Sequence, residues 1–197
     1  MADDGSAPQS HKTRSITFRI DSEVIDSLQT ESDNREITLN VLVNQVLRRY
    51  TDWDTYEARI GMMPVPKLLL VSLIDKAISI AQREGLKYIE RYRNEVIKEA
   101  AKIAFKLMKE SVLFMKNKYN LWIVLGVLEE YMKVSGVKSD HRMEGASNHV
   151  FVIQHDLGEN WSLFTKELLT MIFENLANVK PEIEVTQNTV IASIVLN

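Results

Sequence analysis

In the segment HDLGENWS, His155, Asp156, Glu159 and Ser162 stand close together, a set that in the right geometry carries proton transfer and nucleophilic attack. Such chemistry needs a base within hydrogen-bond reach of the nucleophile and a third group to orient the base, and one turn of chain does not supply both. The plainer reading gives Gly158 the turn, Asn160 or Ser162 a helix cap, and Trp161 a place beneath that helix. The other histidines are His11, His141 and His149. His149 and His155 flank the apolar run VFVIQ and, on an extended strand, lie about 20 Å apart, too far to share a metal within one chain. With no cysteine there is no thiolate ligand, disulfide or thiol nucleophile, and no P-loop, dinucleotide-binding, HExxH or GxSxG pattern occurs. The expectation is a protein that is not an enzyme and needs no metal and no cofactor.

A different chemistry lies near the start. In RSITFRI, Ile16, Phe18 and Ile20 alternate with Ser15, Thr17 and Arg19, which predicts a half-buried strand with one apolar face and one hydrogen-bonding face. Asp21 or Ser22 can cap a short helix bearing Val24, Ile25 and Leu28. After SDNREIT, Thr38 opens a second helix in which Leu39, Val43, Val46, Leu47 and Tyr50 recur at helical spacing. The order is β-α-α over about fifty residues. Residues 1–12 read as a polar, mobile tail and residues 53–65 as a linker.

The remainder is mainly helical. Pro66 suits the first turn of a helix running to about Gly85, and residues 87–118 hold a continuous helical pattern without Gly or Pro. Asn120 caps a further helix from Leu121 to about Val134, closed by Gly136. Residues 137–148 read as a loop, followed by the strand VFVIQ, a helix from Trp161 to about Leu176, and the strands EIEV and TVIASIVL. The predicted fold class is mainly α with an α+β C-terminal part: a β-α-α domain over 13–52, then a helical region ending in β-α-β-β over 66–197.

Composition limits the possible classes. The 197 residues are 45% apolar with few glycines and prolines, which excludes wholesale disorder and loop-rich secreted scaffolds. No apolar run reaches the 18–20 or so residues of a membrane span, and the first residues, MADDGSAPQS, lack the basic-then-apolar order of a secretory signal. A cytoplasmic, nucleoid-associated protein is expected, with no membrane partner. The net charge of −3 resides in residues 1–53, with six Lys/Arg against nine Asp/Glu, yet residues 11–20 carry His11, Lys12, Arg14 and Arg19 and no acid. Residues 76–118 hold eleven Lys/Arg against five Asp/Glu, including Lys98, Lys102, Lys106 and Lys109, which read as a solvated, ion-paired face.

A lone strand leaves backbone groups unpaired on both sides, and the two helices after it supply no partner. The cheapest completion is the same strand of a second copy, paired antiparallel about a two-fold axis. Such a ribbon fits the DNA major groove, where arginine and hydroxyl side chains read base edges while helix N-termini hold phosphates. On these residues the stretch 14–50 resembles the ribbon-helix-helix DNA-binding domains of the Arc and MetJ type. The resemblance rests on SITFRID, VIDSL and ITLNVLVNQVLRRY and covers about a fifth of the chain. It implies base reading by Ser15, Thr17 and Arg19, and phosphate contact by Lys12, Arg14, Thr38, Leu39 and Asn40. Where such domains commonly place glycine between their helices this chain has SDNRE, which asks either that Asn34 adopt the left-handed conformation or that the turn differ. The expected function is a homodimeric transcription regulator with double-stranded DNA as partner, a higher homo-oligomer and an effector remaining open. The alternative is a protein-interaction or antitoxin-like dimer module whose C-terminal part binds a partner or small ligand.

Overall fold

A computed structural model describes residues 13–62, 65–85, 87–145 and 147–196, and the chain divides into two units, Met1–Asp52 and Trp53–Asn197. In the first unit α1 (Ser22–Asn34) and α2 (Leu39–Arg49) are joined by a tight turn. Thr38 caps α2 by accepting the Val41 N–H at 3.3 Å, and Arg48 and Arg49 occupy its last turn, where cations suit the helix dipole. The turn closes α1 with two bonds, Glu36 N–H to the Asp33 carbonyl and Ile37 N–H to the Ser32 carbonyl. This is the paired pattern that puts the intervening residue in the left-handed region. That residue is Glu36, at φ +54°, and not Asn34, which still belongs to α1.

The expected β-α-α start is corrected. Residues 13–20 form no strand, and the first regular elements of the unit are the two helices. Alternation decides which face each side chain shares, but a strand exists only through its partner, and none of the described residues pairs with this segment.

The second unit begins inside a π-helical turn, Tyr50–Asp54, which leads into the short α3 (Thr55–Glu57). Trp53 is buried and packs 5.9 Å from Tyr131, with Tyr56 and Ile60 against the same core, so the segment read as a linker contributes packing. Next come α4 (Lys67–Arg83), α5 (Ile89–Lys116) and α6 (Leu121–Val134). At 28 residues α5 is about 42 Å long. Asn120 caps α6 by accepting the Ile123 N–H at 3.0 Å, and Gly136 ends it at φ +68° with Val137 tucked against the core.

The C-terminal part is β-β-α-β-β, not β-α-β-β. Lys138–Glu144, read as a loop, is strand β1, pairing with β2 (Asn148–Gln154) through a hairpin. The reason for the difference is chemical: every residue of β1 is exposed, so it has no apolar alternation to betray it. After β2 come α7 (Glu159–Leu176), β3 (Glu182–Val185) and β4 (Thr189–Val195), giving one antiparallel sheet in the order β1-β2-β4-β3. Cross-strand register puts His149, Ile153, Val190, Ala192 and Ile194 on one face, all buried. Leu168, Leu169, Ile172 and Phe173 of α7 join them in the same core. None of the described helices is long and apolar enough to cross a membrane.

Candidate functional site

The first unit holds most of the residues singled out for recognition. Arg14, Ser15, Thr17 and Arg19 are exposed on the extended segment before α1; Lys12, like His11, lies outside the described residues. Thr38, Leu39 and Asn40 form the start of α2, where the first backbone N–H groups precede the helical hydrogen-bond ladder and the first turn carries no acid. A helix end of that kind accepts an anion. The unit buries Ser32 and Leu42 and little else, leaving Ile16, Phe18, Ile20, Val24, Ile25, Val41, Val46 and Leu47 exposed. Ile16, Phe18 and Ile20 and, on α2, Val41, Val46 and Leu47 are thus exposed among the described residues.

The segment HDLGENWS is accounted for residue by residue by the packing of α7. Gly158 takes φ +81° with ψ 176°, a combination that favours glycine, while its N–H donates to Asn188 Oδ1 at 3.1 Å. Arg93 of α5 donates to Glu159 at 2.8 Å and to Asn160 Oδ1 at 2.6 Å, and Asn160 Nδ2 donates to Asp75 of α4 at 2.7 Å. Lys67 pairs with exposed Asp156 at 3.0 Å, a hydrogen bond that holds the carboxyl below its ordinary range. The segment thus ties α4, α5 and α7 together.

Ser162 and His155 do lie within reach, with Ser162 Oγ 2.9 Å from His155 Nε2, but their hydrogen bonds run the wrong way for a nucleophile and its base. The Leu157 N–H donates to His155 Nδ1 at 3.2 Å, which makes Nδ1 the acceptor of the neutral ring and leaves its proton on Nε2. Nε2 then donates to Ser162, whose own proton goes to the Gln187 carbonyl at 3.3 Å. Burial, only partly opposed by Asp156, holds His155 below its ordinary value and favours this neutral form. Ser162 is fully buried, so this is an internal tie between the start of α7 and the β3–β4 turn.

Sequence reasoning missed a second histidine pair. His141 Nε2 lies 3.0 Å from His149 Nδ1, although no separation of eight residues on one strand brings two rings together. The hairpin does it: the β1–β2 register sets His141 opposite Phe151, with His149 its diagonal neighbour on the same face. The signal available was indirect, namely that VFVIQ needed a partner on each side and that Gly145 offered a turn. Trp122 of α6 stands 5.2 Å from His149, completing a wall of rings. Burial first, then the neighbouring His149, lowers the pKa of His141, while Glu129 and Asp140 oppose that shift. The described residues contain no group of three or more His, Asp or Glu placed to hold a metal.

No family model matches the chain, and no curated protein matches it. Among solved structures the chain is similar to an Fe(II) unliganded H-NOX protein mutant from K. algicida, with 12% identity, TM-score 0.46, and coverage of 70% of this chain and 76% of that one. The Fe(II) unliganded H-NOX protein from K. algicida gives 13% identity and TM-score 0.41 over 75% of this chain and 93% of that one. At that distance the likeness says nothing about what this chain binds.

Proposed function

We propose that the protein is a sequence-specific DNA-binding transcription regulator that acts as a homodimer on the nucleoid in the cytoplasm. In this reading residues 14–20 of two copies meet at the dimer interface, with Ile16, Phe18 and Ile20 turned inward and Ser15, Thr17 and Arg19 of both chains toward base edges. Arg14 and the α2 start at Thr38, Leu39 and Asn40 hold the flanking phosphates, with Lys12 joining them.

The observation that carries this reading is the uncovered first unit. Phe18 is 54% exposed and Val46 50% exposed in a unit whose buried apolar residue is Leu42. Side chains spaced for burial and left in water call for a second surface, and a second copy brings an identical one. The acid-free basic segment beside it supplies the sign that a nucleic acid needs.

The test is selection of bound duplexes from a random pool, with sedimentation of the free protein and of its complex. A dimer with a consensus site is expected. Arg19→Ala is expected to erase discrimination at the positions it reads, a loss of roughly 1–3 kcal/mol per arginine–guanine pair, while leaving the dimer intact. Thr38→Pro is expected to weaken binding to all duplexes alike, because it damages the phosphate contact. A dimer that retains no duplex at low salt overturns the DNA reading and leaves a protein-interaction module.

A further inference from the structure

On α6, Trp122, Gly126 and Glu129 follow at spacings of four and three and so share one stripe of the helix. That stripe borders a cavity of about 150 Å³ whose opposite wall is His141 and Phe151 of the sheet. The rings of His141 and Phe151 are stacked, 4.2 Å apart with 4° between their planes, and Trp122 stands 6.1 Å from His141. A mid-helix glycine lowers helix stability relative to alanine, and packing does not require this one, since a Cβ at Gly126 meets nothing within 4 Å. Its missing side chain widens the cavity.

The carboxylate-bearing lining residues are Glu129 and Asp140, and no described lysine or arginine contributes to the wall. Strand alternation turns Asp140 away from the face that carries His141, so Glu129 is the carboxylate serving the cavity. The Nε2 atom of His141 is engaged by His149, which leaves its ring, rather than that nitrogen, to a ligand.

We propose that this cavity binds a small methylated ammonium cation, held by the rings of Trp122 and His141 and neutralised by Glu129. Aromatic faces attract a cation through the ring quadrupole, and the attraction strengthens where water is excluded. Methyl groups spread the charge over carbon that needs no hydrogen bonds and so suit a wall made mainly of rings and aliphatic side chains. A primary ammonium brings three donors to the few acceptors, Glu129 and Ser139, that line it. The cavity is small beside the roughly 300–1,000 Å³ pockets of larger ligands and suits a compact one. Protonation of His141 places a like charge in the wall, so binding weakens as the pH falls through that residue's lowered pKa, with His149, Glu129 and Asp140 as the charged or titratable neighbours. The inference stands apart from the DNA reading, because every residue in it belongs to the second unit and its test uses no duplex.

The test is calorimetric titration of the full-length protein with choline chloride at constant ionic strength, sodium being the balancing cation. Saturable binding in the millimolar range is expected, with the uncharged carbon isostere dimethylbutanol and plain methylammonium each binding several-fold more weakly. Trp122→Ala is expected to weaken choline binding about tenfold. Trp122 is 51% exposed, so its loss does not hollow the core. Glu129→Gln is expected to weaken binding several-fold and keeps the shape of the wall. Absence of saturation, equal binding of dimethylbutanol or of methylammonium, or undiminished binding by Trp122→Ala each overturns the proposal.

Discussion

In the first unit the described buried residues are Ser32 and Leu42, whereas from Trp53 onward one cluster joins side chains of α5, α6, α7 and the sheet around Ile172 and Phe173, which are fully enclosed. Both regions contain amphipathic helices with good caps. The difference is that the second unit provides two layers, helices against a sheet, and so encloses a core within the same chain, while Leu68, Leu69 and Leu73 of α4 and Ile103 and Leu107 of α5 stay exposed. The first provides two short helices and an extended segment and cannot cover either face. Local helix signals and a closed core are therefore separate properties, and the first unit has the signals without the core.

The largest expected effect tests the closed region. Phe173→Ala removes a fully buried ring and is expected to cost about 3–5 kcal/mol. Chemical denaturation should show that loss in a transition whose midpoint does not move on dilution. On the proposed dimerisation, the first unit's transition should move on dilution. A concentration-independent first transition breaks the contrast.

A smaller effect is expected from Ser162→Ala, which removes the partner of the part-buried His155 Nε2–H and should cost about 1 kcal/mol by the same measurement. Its neighbourhood also predicts a pH dependence. Burial is the first cause that lowers both His141 and His155, so the folded chain binds fewer protons than the unfolded one below about pH 6.5. Stability of the second unit is accordingly full above that value and is lost as the pH falls toward the lowered pKa values. Replacing either histidine with a non-titrating residue should flatten the slope of midpoint against pH.

The smallest effect acts on the first unit. Glu36 holds a left-handed conformation that costs a side-chain-bearing residue energy, so Glu36→Gly should stabilise the α1–α2 pair by about 0.5–1 kcal/mol, read as a rise in the first transition at fixed concentration. No gain would mean that the turn is not formed in solution as described.

These regions also differ in how far the sequence discloses them. The limits of α6 are legible because Asn120 and Gly136 are local signals with local consequences, and both act as their types require. The path of α7 is legible from its apolar spacing. Strand β1 is not, since KSDHRME is polar except for Met143 and is made a strand by β2, a fact recorded nowhere in its own residues. Residues 14–20 err in the opposite direction: their alternation is clear, yet no strand among the described residues pairs with them. The candidate sites divide the same way. Periodicity places Ser15, Thr17 and Arg19 on one face and the resemblance alone gives them a role, whereas the ring wall of Trp122, His141, His149 and Phe151 exists only once hairpin register and a helix are known together.

The sheet order leaves β1 and β3 as its two edges. An edge strand offers unpaired amides to any passing chain, and long, apolar edges invite aggregation. Here β3 spans four residues and carries Glu182 and Glu184, while β1 alternates Lys138, Asp140, Arg142 and Glu144 along one face. An incoming strand would have to desolvate those charges or match them. The polarity that hides β1 from a sequence reader is therefore the same property that stops the sheet from growing at four strands.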